Sequence, residues 1–185
     1  MEYLNSGSIR LRAVEPIDID FILQVENDSS EWIGNGQLAP LSRNQIERYV
    51  LHNNADPFGD GELRLIAEEQ TGVPVGIVDL YEISPVNRTA MVAIYIKESE
   101  RGKGIGMSCL SIIETYARDI LSLRKLGARI ASFNDRSIRL FTKSGFRRAG
   151  LIPGWLICGG KEIDLQIFYK TLDEDRPEAR NKNIY

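Results

Sequence analysis

The chain has 185 residues, of which 43% are hydrophobic and 26% are charged, and its formal net charge at pH 7 is -3. These values predict one soluble globular domain with a hydrophobic core, and the acidic balance argues against a nucleic-acid partner bound through a basic surface. Two cysteines do not make a disulfide framework, and a single histidine excludes a histidine-rich metal site. Because the N-terminus lacks the apolar core of a signal peptide and no apolar run is long enough to span a membrane, we expect a cytoplasmic protein with no metal and no membrane anchor.

The hydrophobic pattern predicts alternating strands and helices in a single domain over residues 1–172, followed by a polar tail over residues 173–185. Pro16 suits a helix start, Ser42 can cap a second helix, and Asn134 is the expected cap of a short later helix. The predicted elements are, in chain order, a strand (8–14), two helices (17–28 and 43–53), three strands (62–69, 74–83 and 89–97), a long helix (104–123), a strand (125–133), a short helix (134–145) and two strands (146–152 and 162–170).

The turn RGKGIG, residues 101–106, places three glycines and two basic residues between a predicted strand and a predicted helix. A helix N-terminus presents unpaired N–H groups that bind phosphate, glycines let the backbone approach closely, and Arg101 and Lys103 add positive charge. The Walker pattern needs Ser or Thr after its Gly-Lys, and in the dinucleotide pattern Met107 would occupy the place of the third glycine, so neither fits. An ordinary loop and a phosphate-binding loop are both consistent with this turn alone.

Two motifs in order resemble one protein family. The turn fits Arg/Gln-x-x-Gly-x-Gly/Ala, and about 30 residues later the segment NDRSIRLFTKSGF is similar to Asn-x-x-Ser-x-x-Leu-Tyr-x-Lys-x-Gly-Phe. Together they closely resemble the GNAT superfamily of N-acetyltransferases over roughly residues 8–172. Within it, residues 76–106 look most like the polyamine (spermidine) N-acetyltransferase branch, with the ribosomal-protein N-terminal acetyltransferases as near neighbours.

This resemblance implies an α+β fold with a mixed, mostly antiparallel sheet of six to seven strands, splayed between the fourth and fifth strands and flanked by about four helices. It also implies acetyl-CoA as cosubstrate in the cleft. The implied contacts are Ile94, Tyr95 and Ile96 along the pantetheine, Arg101, Gly102, Lys103, Gly104, Ile105, Gly106 and Met107 around the pyrophosphate, and Asn134, Ser137, Phe141 and Lys143 on the other wall.

The family's chemistry is direct attack of a neutral amine on the thioester, so no enzyme nucleophile is needed. The oxyanion donor is expected among the backbone N–H groups near Ile94–Ile96, and the candidate bases are Glu82 and Asp79. Because these two carboxylates are three residues apart, a regular strand would turn them to opposite sides. The family's tyrosine, which protonates the leaving thiolate, is replaced here by Phe141.

The acceptor implied by the resemblance is a polyamine or another small amine. Asp28 and Glu31 could add negative potential for it, and Trp32, Tyr81 and Trp155 could wall its pocket. An N-terminal peptide acceptor, and a CoA-binding module without turnover, stay open as alternatives. A homo-oligomer is compatible with the sequence.

Overall fold

The structure is a computed structural model that describes residues 4–28, 39–52 and 56–172. Within these residues eight strands form one sheet, one strand more than the largest predicted number, because the two-residue β1 is too short to leave a sequence pattern. The strands are β1 (Asn5–Ser6), β2 (Ile9–Ala13), β3 (Leu63–Glu69), β4 (Pro74–Ser84), β5 (Thr89–Ile96), β6 (Lys125–Ala131), β7 (Arg147–Cys158) and β8 (Lys161–Thr171), and the helices are α1 (Ile19–Glu26), α2 (Arg43–Leu51), α3 (Ile105–Asp119) and α4 (Asp135–Lys143).

The sheet splits in the middle, as predicted. Its order is β1-β2-β3-β4-β5-β6-β8-β7, and every neighbouring pair is antiparallel except β5 and β6, which run parallel. These two strands pair only where Thr89–Met91 of β5 lie opposite Lys125–Gly127 of β6. Beyond that point β5 continues along β4 and β6 continues along β8, so the strands separate and leave a gap between them. With β1 counted, β5 and β6 are the strands that the prediction numbered fourth and fifth.

Two hydrophobic cores cover the two faces of the sheet. The main core joins one face to α3 and α4, and the smaller core joins the other face to α1 and α2. Successive residues of a strand face opposite sides, and accordingly Ile77 lies in the smaller core while Val78 lies in the main core. We call these two sides the α3 face and the α1 face.

The local signals that start the helices are confirmed in two cases. Ser42 and Gln45 form the capping box of α2, and the Asn134 side chain accepts a hydrogen bond from the Ser137 N–H at 3.1 Å at the start of α4. Helix α1 is shorter than predicted, because Pro16–Asp18 forms a separate 3-10 turn before it. None of the helices described here has both the length and the hydropathy that a membrane crossing needs.

Candidate active site

A cleft of about 650 Å³ lies where β5 and β6 separate. Val92, Ala93 and Ile94 of β5 form one wall, and residues 128–131 of β6 form the other. Helix α4 reaches the cleft from the α3 face, and Glu26 of α1 reaches it from the opposite face. The cleft therefore passes through the sheet, so that two ligands could enter from opposite faces and meet between the strands.

The edge of β5 that borders the cleft carries hydrogen-bonding groups that β6 does not use. The Lys97 N–H donates to the Val75 carbonyl of β4 at 2.9 Å. Because backbone groups alternate in direction along an antiparallel strand, the N–H groups of Val92 and Ile94 turn away from β4, toward the cleft. The edge therefore offers the backbone donors that an extended ligand such as pantetheine would pair with.

Within the segment that the resemblance places along the pantetheine, the backbone groups of Tyr95 and Ile96 turn in opposite directions. By the same alternation the Tyr95 backbone faces β4, where Tyr95 lies opposite Ile77. The Arg101 guanidinium lies over the Tyr95 ring, 5.7 Å from the ring centre. The Ile96 carbonyl does face the cleft side, and it accepts a hydrogen bond from Arg101 Nε at 2.8 Å.

The glycine-rich turn leads directly into α3. Gly102 and Gly104 have φ angles of +81° and +83°, a conformation that favours glycine. Gly104 is the N-cap residue, and no side chain caps this helix in the structure as described. Its carbonyl accepts from the N–H groups of Met107 and Ser108, whereas the N–H groups of residues 102–106 have no acceptor among the described residues. Free N–H groups and the helix dipole make this end of α3 suited to an anion.

The charged side chains of the turn have protein partners. Lys103 Nζ lies 2.7 Å from Glu100 Oε2, and this hydrogen bond lowers the pKa of Glu100. Gly106 has a packing role, because a Cβ at this position would come within 3.2 Å of the Leu140 side chain on α4. A bound pyrophosphate would therefore compete with Glu100 for Lys103, while the absence of a side chain at Gly106 leaves room for Leu140 of α4.

Helix α4 forms the cleft wall on the α3 face with Asn134, Ser137 and Phe141. The Asn134 side-chain oxygen is already used as the helix cap. Phe141 is only 4% exposed and packs edge-on against Phe146 with ring centres 4.9 Å apart. Lys143, which the resemblance placed at the cofactor, is exposed in the last turn of α4 and does not line the cleft.

On the α1 face an arginine joins two carboxylates. Arg64 of β3 binds both oxygens of Asp79 at 2.8 Å, and its Nη1 lies 2.5 Å from Glu26 Oε1. Burial by itself would lower the pKa of Arg64, but the two carboxylates keep this pKa above its ordinary value. Burial also raises the pKa of Tyr49, whose ring lies under Arg64, to about 12. Asp79 thus lines the cleft as predicted for a candidate base, but with both oxygens bound to a guanidinium.

A β-bulge changes the position expected for Glu82. Leu80 and Ile83 both belong to the main core although they are three residues apart, and the pairing of β4 with β5 shifts between Tyr81 and Ser84. Tyr81 and Glu82 therefore both face the α1 side. The prediction that Asp79 and Glu82 face opposite sides is wrong, because it assumed a regular strand.

Glu82 does not line the cleft, but its partner does. Its carboxylate binds the guanidinium of Arg129 on β6 through two contacts of 2.6 and 2.8 Å. Tyr81 lies on the cleft wall next to this pair, and burial raises its pKa, so the hydroxyl stays protonated. The motif-based prediction missed Arg129 and Arg64, since the spacing along the chain does not reveal which strands place charges side by side.

The remaining predicted acceptor residues are divided. Trp155 of β7 lines the cleft and is 63% exposed. Asp28 lies after α1 and does not line it, whereas Glu31 and Trp32 lie outside the described residues. Glu62, just before β3, is an exposed lining residue that the sequence did not single out, and it has no ion-pair partner in the described structure.

The acetyltransferase (GNAT) domain family matches residues 8–147. This chain belongs to the GNAT family of acetyltransferases. A Bacillus subtilis protein named provisionally as a phosphinothricin acetyltransferase is 30% identical over 167 residues, which cover 88% of this chain and 98% of that protein. A spermidine N(1)-acetyltransferase of Vibrio cholerae is 25% identical over 167 residues, which cover 89% and 93%.

Solved structures have the same fold. That of a Vibrio cholerae spermidine N-acetyltransferase in complex with CoA and spermine superposes with a TM-score of 0.82 at 24% identity, covering 91% of this chain and 98% of that one. A dodecameric structure of the Vibrio cholerae enzyme gives 0.76 at 23% identity, covering 94% and 99%. The predicted family and fold are confirmed, and the GNAT chain is an acetyl-CoA-dependent N-acetyltransferase.

Proposed function

We propose that this N-acetyltransferase acetylates a primary amine of a small cationic acceptor, of which a polyamine such as spermidine is the clearest example. The charges on the α1 face support this proposal. Three carboxylates line the cleft, those of Glu26, Glu62 and Asp79, and Glu82 lies beside it, so that negative charges outnumber the two guanidinium groups of Arg64 and Arg129. The excess of negative charge attracts an ammonium group, and it acts most strongly in a confined cleft.

The two arginines do not oppose this, because each is already bound. Arg64 donates to Asp79 and Glu26, and Arg129 donates to Glu82. Glu62 has no ion-pair partner among the described residues, so it is the carboxylate most open to an incoming cation. Spermidine N(1)-acetyltransferases among the relatives agree with a cationic acceptor.

Acetyl-CoA supplies the activated thioester, and the protein holds the thioester and the acceptor amine in position. The proposed site holds it along the β5 edge, with the Ile94 N–H as donor to the thioester oxygen and the N-terminus of α3 at the pyrophosphate. A carboxylate has about four acceptor positions, so Asp79 can keep Arg64 and still accept one hydrogen bond from the acceptor ammonium. After the ammonium has lost its proton to solvent, the neutral amine would attack the thioester carbonyl, and the C–S bond would break with release of the CoA thiolate as the amide forms.

A panel assay tests the proposal. Purified protein is given acetyl-CoA with polyamines, amino acids and N-terminal peptides, and CoA release is measured with a thiol reagent. We expect spermidine to give the highest kcat/KM of the panel. If peptides with a free N-terminal Ala or Ser react much faster than every polyamine, the acceptor proposal is wrong.

Two variants test whether a carboxylate in the cleft contributes to acceptor binding. Glu62→Gln removes a cleft carboxylate, whereas Glu69→Gln removes one at the other end of β3, roughly 23 Å away at ~3.3 Å per residue. We expect the first to raise the KM for spermidine about threefold and leave acetyl-CoA affinity unchanged. We expect the second to change neither. The effect should shrink as salt is added, because exposed charges are screened.

One observation favours a second acceptor class. Arg129 lines the cleft and is 43% exposed, so a carboxylate or phosphinate on the acceptor could compete with Glu82 for it. The relative named for phosphinothricin acetylation fits such an acceptor. The amino acids in the panel distinguish the two classes.

A homo-oligomer stays a prediction, which light scattering coupled to size-exclusion chromatography checks.

A further inference from the structure

An ion pair connects the two halves of the split sheet. Glu82 lies on β4, and Arg129 lies on β6 beyond Gly127, the last residue of β6 that pairs with β5. The carboxylate and the guanidinium meet through two contacts, 2.6 and 2.8 Å long. The pair therefore bridges the two strands that flank β5, at the start of the cleft.

The backbone at Glu82 has an unusual conformation, which accompanies this contact. Glu82 has a φ of +50°, which is uncommon for a residue with a side chain, and it belongs to the bulge that turns it to the α1 face. In a regular strand Glu82 would point to the α3 face, away from Arg129. Strain of this kind persists only where the surrounding structure enforces it, and it is concentrated at functional sites.

The pair is placed where it can act on an acceptor. The side chains of Glu82 and Arg129 are 54% and 43% exposed, so solvent or a ligand can reach both. Both also act on the adjacent cleft residue Tyr81, because burial raises the pKa of its hydroxyl, Arg129 opposes that rise, and Glu82 adds to it. Their charges are therefore felt at the cleft wall.

We propose that the Glu82–Arg129 pair sets the charge preference of the acceptor pocket: Glu82 neutralises Arg129, which would otherwise repel a cationic amine and attract an acceptor with an anionic group. Glu82 is then a positioning residue that acts through Arg129, and not the base. The inference rests on the proposed function in one respect, that the acceptor occupies this end of the cleft.

Three acceptors of equal length test it: 1,5-diaminopentane, pentylamine and 5-aminopentanoate, which differ at the far end by a positive, no or a negative charge. The readout is the ratio of kcat/KM for the diamine to that for the carboxylate. Glu82→Gln should lower this ratio about threefold or more, and Arg129→Gln should raise it by a similar factor. The double variant should return close to the wild-type ratio, and pentylamine serves as the uncharged reference acceptor for each variant.

Glu82→Gly is the second variant, because glycine adopts the φ of +50° without strain and also lacks the carboxylate. It should shift the ratio as Glu82→Gln does while remaining folded, which thermal unfolding and acetyl-CoA affinity check. An equal loss of kcat for all three acceptors in the Glu82 variants, without rescue by Arg129→Gln, overturns the inference and makes Glu82 the base. A wild type that prefers 5-aminopentanoate overturns the proposed function instead, and the ratios of the variants still report on the pair.

Discussion

Phe141→Tyr restores the hydroxyl that the family pattern places on α4. The ring of Phe141 lines the cleft, so a para-hydroxyl can point into the space beside the β5 edge, where the thioester sulfur is expected. The leaving thiolate would then receive its proton from a side chain and not from water. General acid catalysis of this kind typically contributes ~10²–10⁴-fold.

The rise in kcat of Phe141→Tyr should depend on pH. A thiol has a reference pKa of about 8.5, so the released thiolate needs a proton at pH 7 but is stable without one at pH 9. Because the thiolate is already a tolerable leaving group, the gain in kcat can fall below that range. We predict that kcat rises about tenfold or more at pH 7 and much less at pH 9, with the acetyl-CoA dissociation constant unchanged.

The effect on stability follows from burial. A hydroxyl enclosed without a partner would cost about 1–3 kcal/mol, whereas one that points into the cleft is solvated. Phe146→Tyr is the matched control, because Phe146 is the edge-on partner of Phe141, is buried and does not line the cleft. We expect the control to lower the thermal midpoint and leave kcat unchanged. Equal kcat in Phe141→Tyr and wild type, with acetyl-CoA affinity intact, would refute the view that leaving-group protonation limits turnover.

Three further predictions concern the loop, the ion pairs and the thiols. Gly104→Val should raise the acetyl-CoA dissociation constant about tenfold, since a side chain at φ +83° strains the loop by ~1–2 kcal/mol. Gly72→Val, at φ +82° and equally open, should leave affinity unchanged in the same calorimetric titration. Arg64→Met should lower the urea-derived free energy of unfolding by about 3 kcal/mol, because it leaves two carboxylates without their cation. At pH 8 a thiol reagent should modify Cys158 but not Cys109, whose pKa burial raises to about 12, and a count of two thiols in the native protein would be inconsistent with that burial.

The raised pKa of Cys109 also gives a direction to the pH dependence of stability. The folded state disfavours the thiolate, so the contribution of Cys109 is complete below the unfolded thiol pKa and decreases as pH rises above it, toward about 12. Cys109→Ala should remove this alkaline part, measured as the difference in unfolding free energy between pH 7.5 and pH 10.

The fold was predictable because its signals are local or belong to long motifs. The capping residues Ser42 and Asn134 start the helices where expected, and the glycine-rich turn marks the junction of β5 with α3. The resemblance supplied the split of the sheet, which no periodicity could give, because it depends on where two strands distant in sequence stop pairing. The two-residue β1 and the 3-10 turn before α1 fall below the length at which a hydrophobic pattern is visible.

The acceptor side of the site was only partly predictable. Asp79 and Glu82 were identified as acidic residues on one strand, but their partners Arg64 and Arg129 come from β3 and β6 and meet them only in the folded sheet. The bulge at Tyr81 and Glu82 has no clear sequence signal, since neither residue is glycine, and it reversed the direction expected for one carboxylate. Bulges are set by the packing of neighbouring strands, so a strand sequence alone does not reveal them.

Hydrogen–deuterium exchange with and without acetyl-CoA tests the central claim, that the cofactor closes the open edge of β5. The account predicts slower exchange on binding in peptides covering residues 92–96 and 101–107, because the N–H groups of Val92 and Ile94 and those at the start of α3 would gain acceptors. The hairpin turn at Thr71 and Gly72, at the opposite end of β4 from the bulge, should exchange at the same rate in both samples. The claim would be contradicted if saturating acetyl-CoA left the exchange rates of both segments unchanged, or if it slowed exchange only in residues away from the cleft.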